Sequence, residues 1–283
     1  MPRTWVLPRT TLEVGGRTIV MGIVNVTPDS FSDGGLFLDP QQAIAHALKL
    51  LEEGADILDV GGESTRPGAE PVGVEEELRR VIPVVEGICA QAEQAVVSID
   101  TMKAQVARRA LEAGAQIVND VSAMRYDPAM VEVVREFGAG LVLMHMRGEP
   151  RTMQKDVHYD DVVGEVRAFL AERVEAASKA GIPPERVVVD PGIGFGKLLE
   201  HNLALIAGLK AFRGLGAGVL LGASRKSFIG QLTGRQPQER LFGTIGAHVA
   251  GALMGADIVR VHDVGPVREA LIVADAIRAA EGA

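Results

Sequence analysis

One phrase recurs along the chain and constrains its fold more than any other feature. Gly54-Ala55-Asp56-Ile57-Leu58-Asp59-Val60 is echoed by Gly114-Ala115-Gln116-Ile117-Val118-Asn119-Asp120 and again by Gly255-Ala256-Asp257-Ile258-Val259-Arg260-Val261. Each copy follows an amphipathic stretch of helical period. The glycine suits the left-handed position just past a helix end. The apolar run behind it reads as a buried strand. Helix, glycine and strand in repetition mean α/β alternation with parallel strands.

The same reading extended along the chain places eight strands, near 19–24, 56–60, 96–100, 116–119, 140–145, 187–190, 218–223 and 257–262. Eight helices fill the gaps, near 40–53, 74–92, 103–113, 127–137, 160–180, 200–211, 240–254 and 265–280. Asp39 and Pro40 supply a cap and a first-turn proline for the first of them. Gly15-Gly16 between apolar stretches predicts a short hairpin ahead of the first strand, placed to close a barrel floor. Two α/β architectures permit this alternation, an open doubly wound sheet and a (β/α)8 TIM barrel. The strand ends discriminate between them. Asn25, Asp59, Asp100, Asn119, His145, Asp190, Ser224, Arg260 and His262 put polar groups at the end of every strand. A barrel brings all eight ends to one site, whereas an open sheet uses only those near its switch point. The prediction is a single TIM-barrel domain over residues 1–283, since no linker or low-complexity tract divides the chain.

Composition bounds the partners. A net charge of -8 argues against nucleic acid and anionic membranes. One cysteine, Cys89, excludes a disulfide framework and a thiolate metal site. No window approaches the roughly 20 apolar residues of a membrane span, and the first residues lack a signal-peptide layout. The expectation is a soluble cytoplasmic protein.

The loops after the strands carry the chemistry. Asn25-Val26-Thr27-Pro28-Asp29-Ser30-Phe31-Ser32-Asp33-Gly34-Gly35 reads either as a turn-rich loop or as a set of oxygen ligands for Mg²⁺. Gly61-Gly62-Glu63-Ser64-Thr65-Arg66-Pro67-Gly68 offers Arg66 as an anion contact, with a surface arginine as the alternative. Asp100, Asn119 and Asp190 pair with cations or else receive a ligand rich in N–H donors, such as a 2-amino-4-oxopyrimidine edge. Gly192-Ile193-Gly194-Phe195-Gly196-Lys197 fails as a phosphate loop, because Pro191 and Leu198 stand where glycine and a hydroxyl are needed. It suits a loop that lets Phe195 stack on an aromatic ligand. Ser224-Arg225-Lys226 with Arg260 and His262 predicts an anion hole at the last two strands, the usual phosphate site of a barrel. His145 is either a core hydrogen-bonding group or part of the rim. His46, His158, His201 and His248 have no metal spacing, and no Gly-x-Ser-x-Gly elbow occurs.

Taken together, the stretches Met21–Gly35, Asp59–Gly68, Ser98–Asp100, Asn119-Asp120, Leu143–Gly148, Thr152–Gln154, Asp190–Lys197, Gly222–Gly230 and Arg260–Asp263 closely resemble the dihydropteroate synthase family, in order and over nearly the whole chain. The resemblance implies a barrel enzyme of folate biosynthesis. It joins 6-hydroxymethyl-7,8-dihydropterin diphosphate to p-aminobenzoate, uses Mg²⁺, forms homodimers and is inhibited by sulfonamides. It implies Asn25 as metal ligand. Asp100, Asn119, Asp190 and Lys226 would hold the pterin, with Met144 against its ring. Arg66, Arg260 and His262 would hold the diphosphate. Thr65, Pro67, Phe31, Phe195 and Ser224 would wall the aminobenzoate site. Asp100, Lys226, Arg260 and Arg66 are the expected catalytic groups. A pterin-binding methyltransferase would share the carboxylates but lack the first-loop motif and Ser-Arg-Lys. A non-catalytic pterin-binding relative would lack Lys226 or Arg66.

Overall fold

The computed structural model describes residues 3–27, 39–64, 69–148, 152–154 and 157–281. Eight parallel strands close into a barrel: β3 (Ile19–Asn25), β4 (Ile57–Gly61), β5 (Val96–Asp100), β6 (Ile117–Asp120), β7 (Gly140–Met144), β8 (Val187–Asp190), β9 (Gly218–Leu221) and β10 (Ile258–Val261). They stand in sequence order, and β10 pairs with β3 to close the ring, with Arg260 opposite Met21. The predicted hairpin is β1 (Arg3–Val6) with β2 (Thr11–Val14), antiparallel and outside the ring.

Helices α1 (Pro40–Glu52), α2 (Val74–Gln91), α3 (Ala104–Glu112), α4 (Met130–Phe137), α5 (Val162–Lys179), α6 (Leu199–Ala207), α7 (Ser227–Thr233), α8 (Leu241–Met254) and α9 (Val264–Glu281) connect the strands. Asp39 caps α1 as its sequence predicts, accepting the Gln41 N–H at 2.9 Å. Helix α7 departs from expectation. Its seven residues follow the Ser-Arg-Lys motif and end at Gly234, in the left-handed region at φ +72°. So short an element shows no usable periodicity against the polar residues that follow it.

Two apolar layers hold the barrel. Outside the strands, side chains such as Val20, Leu58, Val97, Val118 and Val259 pack against the helices. Inside, Met21, Ile57, Val96, Ile117, Val142, Val188, Leu220 and Ile258 fill the lower half, and Trp5, Leu7 and Val14 of the hairpin plug it from below. Trp5 is fully buried and donates its indole N–H to the Arg186 carbonyl at 2.8 Å. Arg3 pairs with buried Asp257 at 2.6 Å. The hairpin therefore closes the floor and leaves one end open. Among the described residues, no helix is long and apolar enough to cross a membrane.

Candidate active site at the open end of the barrel

Side chains alternate across a strand, so residues two or four beyond an inward apolar residue also point inward. Counting from Met21, Ile57, Val96, Ile117, Val142, Val188 and Ile258 gives Asn25, Asp59, Asp100, Asn119, Met144, Asp190 and Arg260. Apolar residues thus fill the lower interior, while polar groups and Met144 line the upper.

Arg260 is the hub. Its Nε donates to Asp59 Oδ2 at 2.6 Å and its Nη2 to Asp100 Oδ2 at 2.7 Å. Asn119 donates its amide N–H to the same Asp59 oxygen at 3.0 Å. Burial works against the Arg260 charge, but the two carboxylates outweigh it and raise its proton affinity. Burial pushes Asp100 up to about 7; Arg260 opposes this and the Asp59 charge adds to it. The pairing alternative considered for Asp100 is therefore realised. Asp59, legible only as a polar strand end, proves to be the partner that orients Arg260. Its inward parity in β4 was the available signal. Its Oδ1 has no hydrogen-bond partner although buried.

Asp190 accepts the Gly192 N–H at 2.7 Å, and burial raises its pKa against the nearby charge of Lys226. Lys226 donates to the Ile193 carbonyl, and its Nζ lies 4.4 Å from the centre of the Phe195 ring. Burial lowers its pKa to about 8, with Asp190 opposing the shift. Met144, Met146, Met153 and Val121 form a small apolar cluster, with Phe195 against it, at the mouth. Ser224 and His262 meet across the last two loops, Oγ to Nδ1, at 2.9 Å.

The anion hole expected from the last two strands holds fewer free cations than its sequence promised. Arg225 turns to Asp263 in a two-pronged pair at 2.6 and 3.0 Å, tying loop to loop. Arg260 is already shared by two carboxylates. Asn25 ends β3, level with Gly61. Phe31, Thr65, Arg66 and Pro67 lie outside the described residues.

The profile described as "Pterin binding enzyme" matches residues 21–262. The chain belongs to the pterin-binding enzyme family. It is 48% identical over 262 residues to a dihydropteroate synthase of Escherichia coli strain K12, covering 93% of this chain and 92% of that one. Its fold matches a Xanthomonas albilineans dihydropteroate synthase solved with 4-aminobenzoic acid, with a TM-score of 0.91, 49% identity and 99% of both chains covered. A further structure of that enzyme, in complex with 7,8-dihydropteroate, aligns with a TM-score of 0.87 and 47% identity, over 98% of this chain and 99% of that one.

Proposed function

We propose that the chain condenses 6-hydroxymethyl-7,8-dihydropterin diphosphate with p-aminobenzoate, giving 7,8-dihydropteroate and diphosphate. It is then a transferase of folate biosynthesis. The observation that carries this reading is the cluster of Asp59, Asp100 and Arg260, with Asp190 and Lys226 nearby, at the open end of a barrel whose chain is nearly half identical to dihydropteroate synthases.

The site chemistry follows from its charges. A pterin edge presents amine and ring N–H donors, and Asp190 and Asn119 offer oxygen acceptors for them. Met144 supplies an apolar face for the ring. The C–O bond to diphosphate breaks, leaving a pterin methylene cation that Asp100 stabilises. The aromatic amine then forms the C–N bond and gives up a proton to water or to the departing diphosphate. A weakly basic aniline nitrogen needs no strong general base. Arg260, His262 and Arg66 meet the departing diphosphate. Phe195 and Ser224, with Phe31, Thr65 and Pro67, wall the aminobenzoate, so sulfonamides compete there.

Mg²⁺ fits the donor chemistry at Asn25. Among the described residues no three His, Cys, Asp or Glu side chains gather into a metal cage. Mg²⁺ needs none, since it retains water and binds through one or two protein oxygens plus substrate phosphates. When bound, the ion offsets charge on the leaving group.

We assign the cytoplasm as the location and a homodimer as the assembly. Leu203, Leu232 and Phe242 on α6, α7 and α8 are exposed, Phe242 by 85%. An apolar surface of this kind suits a second copy. Sedimentation should give a dimer, and Phe242→Glu a monomer.

The deciding experiment is diphosphate release from pterin diphosphate. With p-aminobenzoate present, release should be matched by formation of 7,8-dihydropteroate. No release, or methyl transfer from a folate to a corrinoid protein instead, overturns the reading.

A further inference from the structure

The loop between β8 and α6 carries a lysine that the proposed reaction does not use. Lys197 is 3% exposed. Its Nζ lies 2.9 Å from His145 Nδ1, 3.0 Å from the Phe195 carbonyl oxygen and 3.3 Å from the His145 carbonyl oxygen. Among the described residues it makes no ion pair. An ammonium has three donors and no acceptor. Here three neutral acceptors meet it, two from the end of β7 and one from the loop. An ammonium buried without a carboxylate is costly, and burial holds this one well below an ordinary lysine, with Asp190 opposing and Lys226 adding. A methionine would fill the space without that cost, so packing alone does not explain the residue.

What the three bonds do is visible in the loop. Gly192, Gly194 and Gly196 all have positive φ, between +66° and +83°. A Cβ on Gly192 would lie 1.9 Å from the His145 carbonyl oxygen, and one on Gly196 would lie 2.7 Å from Arg147 Cβ. The loop is therefore pressed backbone to backbone against the end of β7. Three glycines in six residues provide close approach but no stiffness. Other ties hold the loop at Gly194, whose N–H donates to Asn202 Oδ1 at 2.7 Å and whose carbonyl accepts from Gln154 at 2.8 Å. Lys197 holds the next residue, Phe195, by its carbonyl. His145 is itself braced, its ring edge-on to Phe169 at 4.9 Å. The Phe195 ring in turn lies beside the Met144 cluster and next to Lys226.

We infer that Lys197 is a positioning residue for the aminobenzoate half of the site: it pins the Phe195 backbone to the end of β7 and so fixes the ring against which the second substrate packs. The inference rests on the proposed reaction, in which Phe195 walls that substrate. Its effect should fall on the binding of p-aminobenzoate rather than on the chemical step, because the Lys197 hydrogen bonds go to His145 and Phe195 and none goes to the Asp59, Asp100 and Arg260 cluster.

Steady-state kinetics test this, with pterin diphosphate saturating and p-aminobenzoate varied. Lys197→Met should raise KM for p-aminobenzoate on the order of tenfold, the scale of one lost hydrogen-bonded contact, with kcat held within about threefold. A double-mutant cycle separates positioning from general damage. If Lys197 acts through the ring, adding Lys197→Met to Phe195→Ala should raise KM no further. Additive penalties, an unchanged KM, or a loss confined to kcat would each overturn the assignment. Should Lys197→Met fail to fold, His145 provides the second arm. His145→Leu removes one acceptor and should raise the same KM; His145→Asn, whose amide oxygen stands near the place of Nδ1, should not. Equal KM values for these two variants would also overturn it. Turnover by the unmodified chain tests the reaction itself, and the KM shift tests Lys197.

Discussion

Arg260 holds Asp59 and Asp100 at once, through different nitrogens of one guanidinium, at 2.6 and 2.7 Å. Once Asp100 is ionised, two carboxylates facing one cation leave a net negative charge where the methylene cation of the proposed reaction would form. An approaching diphosphate must share Arg260 with both.

Asp59→Asn should therefore damage the site without touching substrate. The amide can turn donors toward the guanidinium and the Asn119 amide. Breaking a buried pair costs about 3–5 kcal/mol. The expected result is a loss of that order in urea unfolding, with kcat/KM for pterin diphosphate down at least about tenfold. Wild-type stability and turnover in this variant would remove Asp59 from the site.

Asp100→Asn should lower activity and change how stability depends on pH. A carboxylate beside a developing cation stabilises the transition state more than the ground state. Its loss should lower kcat about 10²-fold. Asp100 has a folded pKa of about 7, above the ordinary carboxylate value of 3.8. The fold thus favours the protonated form. That advantage is complete below the unfolded pKa and is lost as pH rises through the folded one. The Tm of the variant relative to wild type should therefore rise between pH 4 and pH 8, by calorimetry, whatever the lost Arg260 pair costs at either pH.

Asp190→Asn should weaken the pterin more than the chemical step. One carboxylate oxygen holds the Gly192 N–H, and an amide oxygen can keep that bond. The other position would then present donors to the donors of the pterin edge. Calorimetry should show pterin diphosphate bound about 2–3 kcal/mol more weakly. An unchanged affinity counts against Asp190 as the pterin anchor.

The pH profile of kcat/KM for pterin diphosphate should be a narrow bell. Its acid limb reflects ionisation of Asp100, pushed up to about 7, and its alkaline limb loss of the Lys226 proton, pulled down to about 8. The two groups interact, so the limbs are macroscopic values of the cluster. Lys226→Met should abolish the alkaline limb in whatever activity remains. A limb that persists there belongs to another group.

Much of this architecture was legible before any coordinates. Gly54, Gly114 and Gly255 do end helices at positive φ, and the strand behind each is buried. Their positions at strand ends placed Asp100, Asn119, Asp190 and Arg260 at one end of a barrel. What stayed hidden was pairing across strands. Asp59 and Arg260 are 201 residues apart, and nothing in either segment announces the other. Arg225 and Arg260 looked equivalent as cations near the last two strands. Only their partners, Asp263 for one and Asp59 with Asp100 for the other, separate a loop tie from a site residue. Lys197 carries no signal of its own in the sequence: its loop matches no phosphate-binding pattern, and its acceptors are carbonyls and a ring nitrogen.

The ring closes where β10 meets β3, and the hairpin floor is held by Asp257 and Arg186. Every wall of the pocket thus depends on a seam joining residues more than 230 positions apart. During synthesis, Asn25, Asp59 and Asp100 emerge long before Arg260 exists to neutralise two of them. A nascent chain halted at residue 250 should therefore expose uncompensated carboxylates and an unpaired β3 edge, and bind no pterin. Permutants that join the ends and reopen the chain at another loop would move this seam, and with it the last moment at which the site can form.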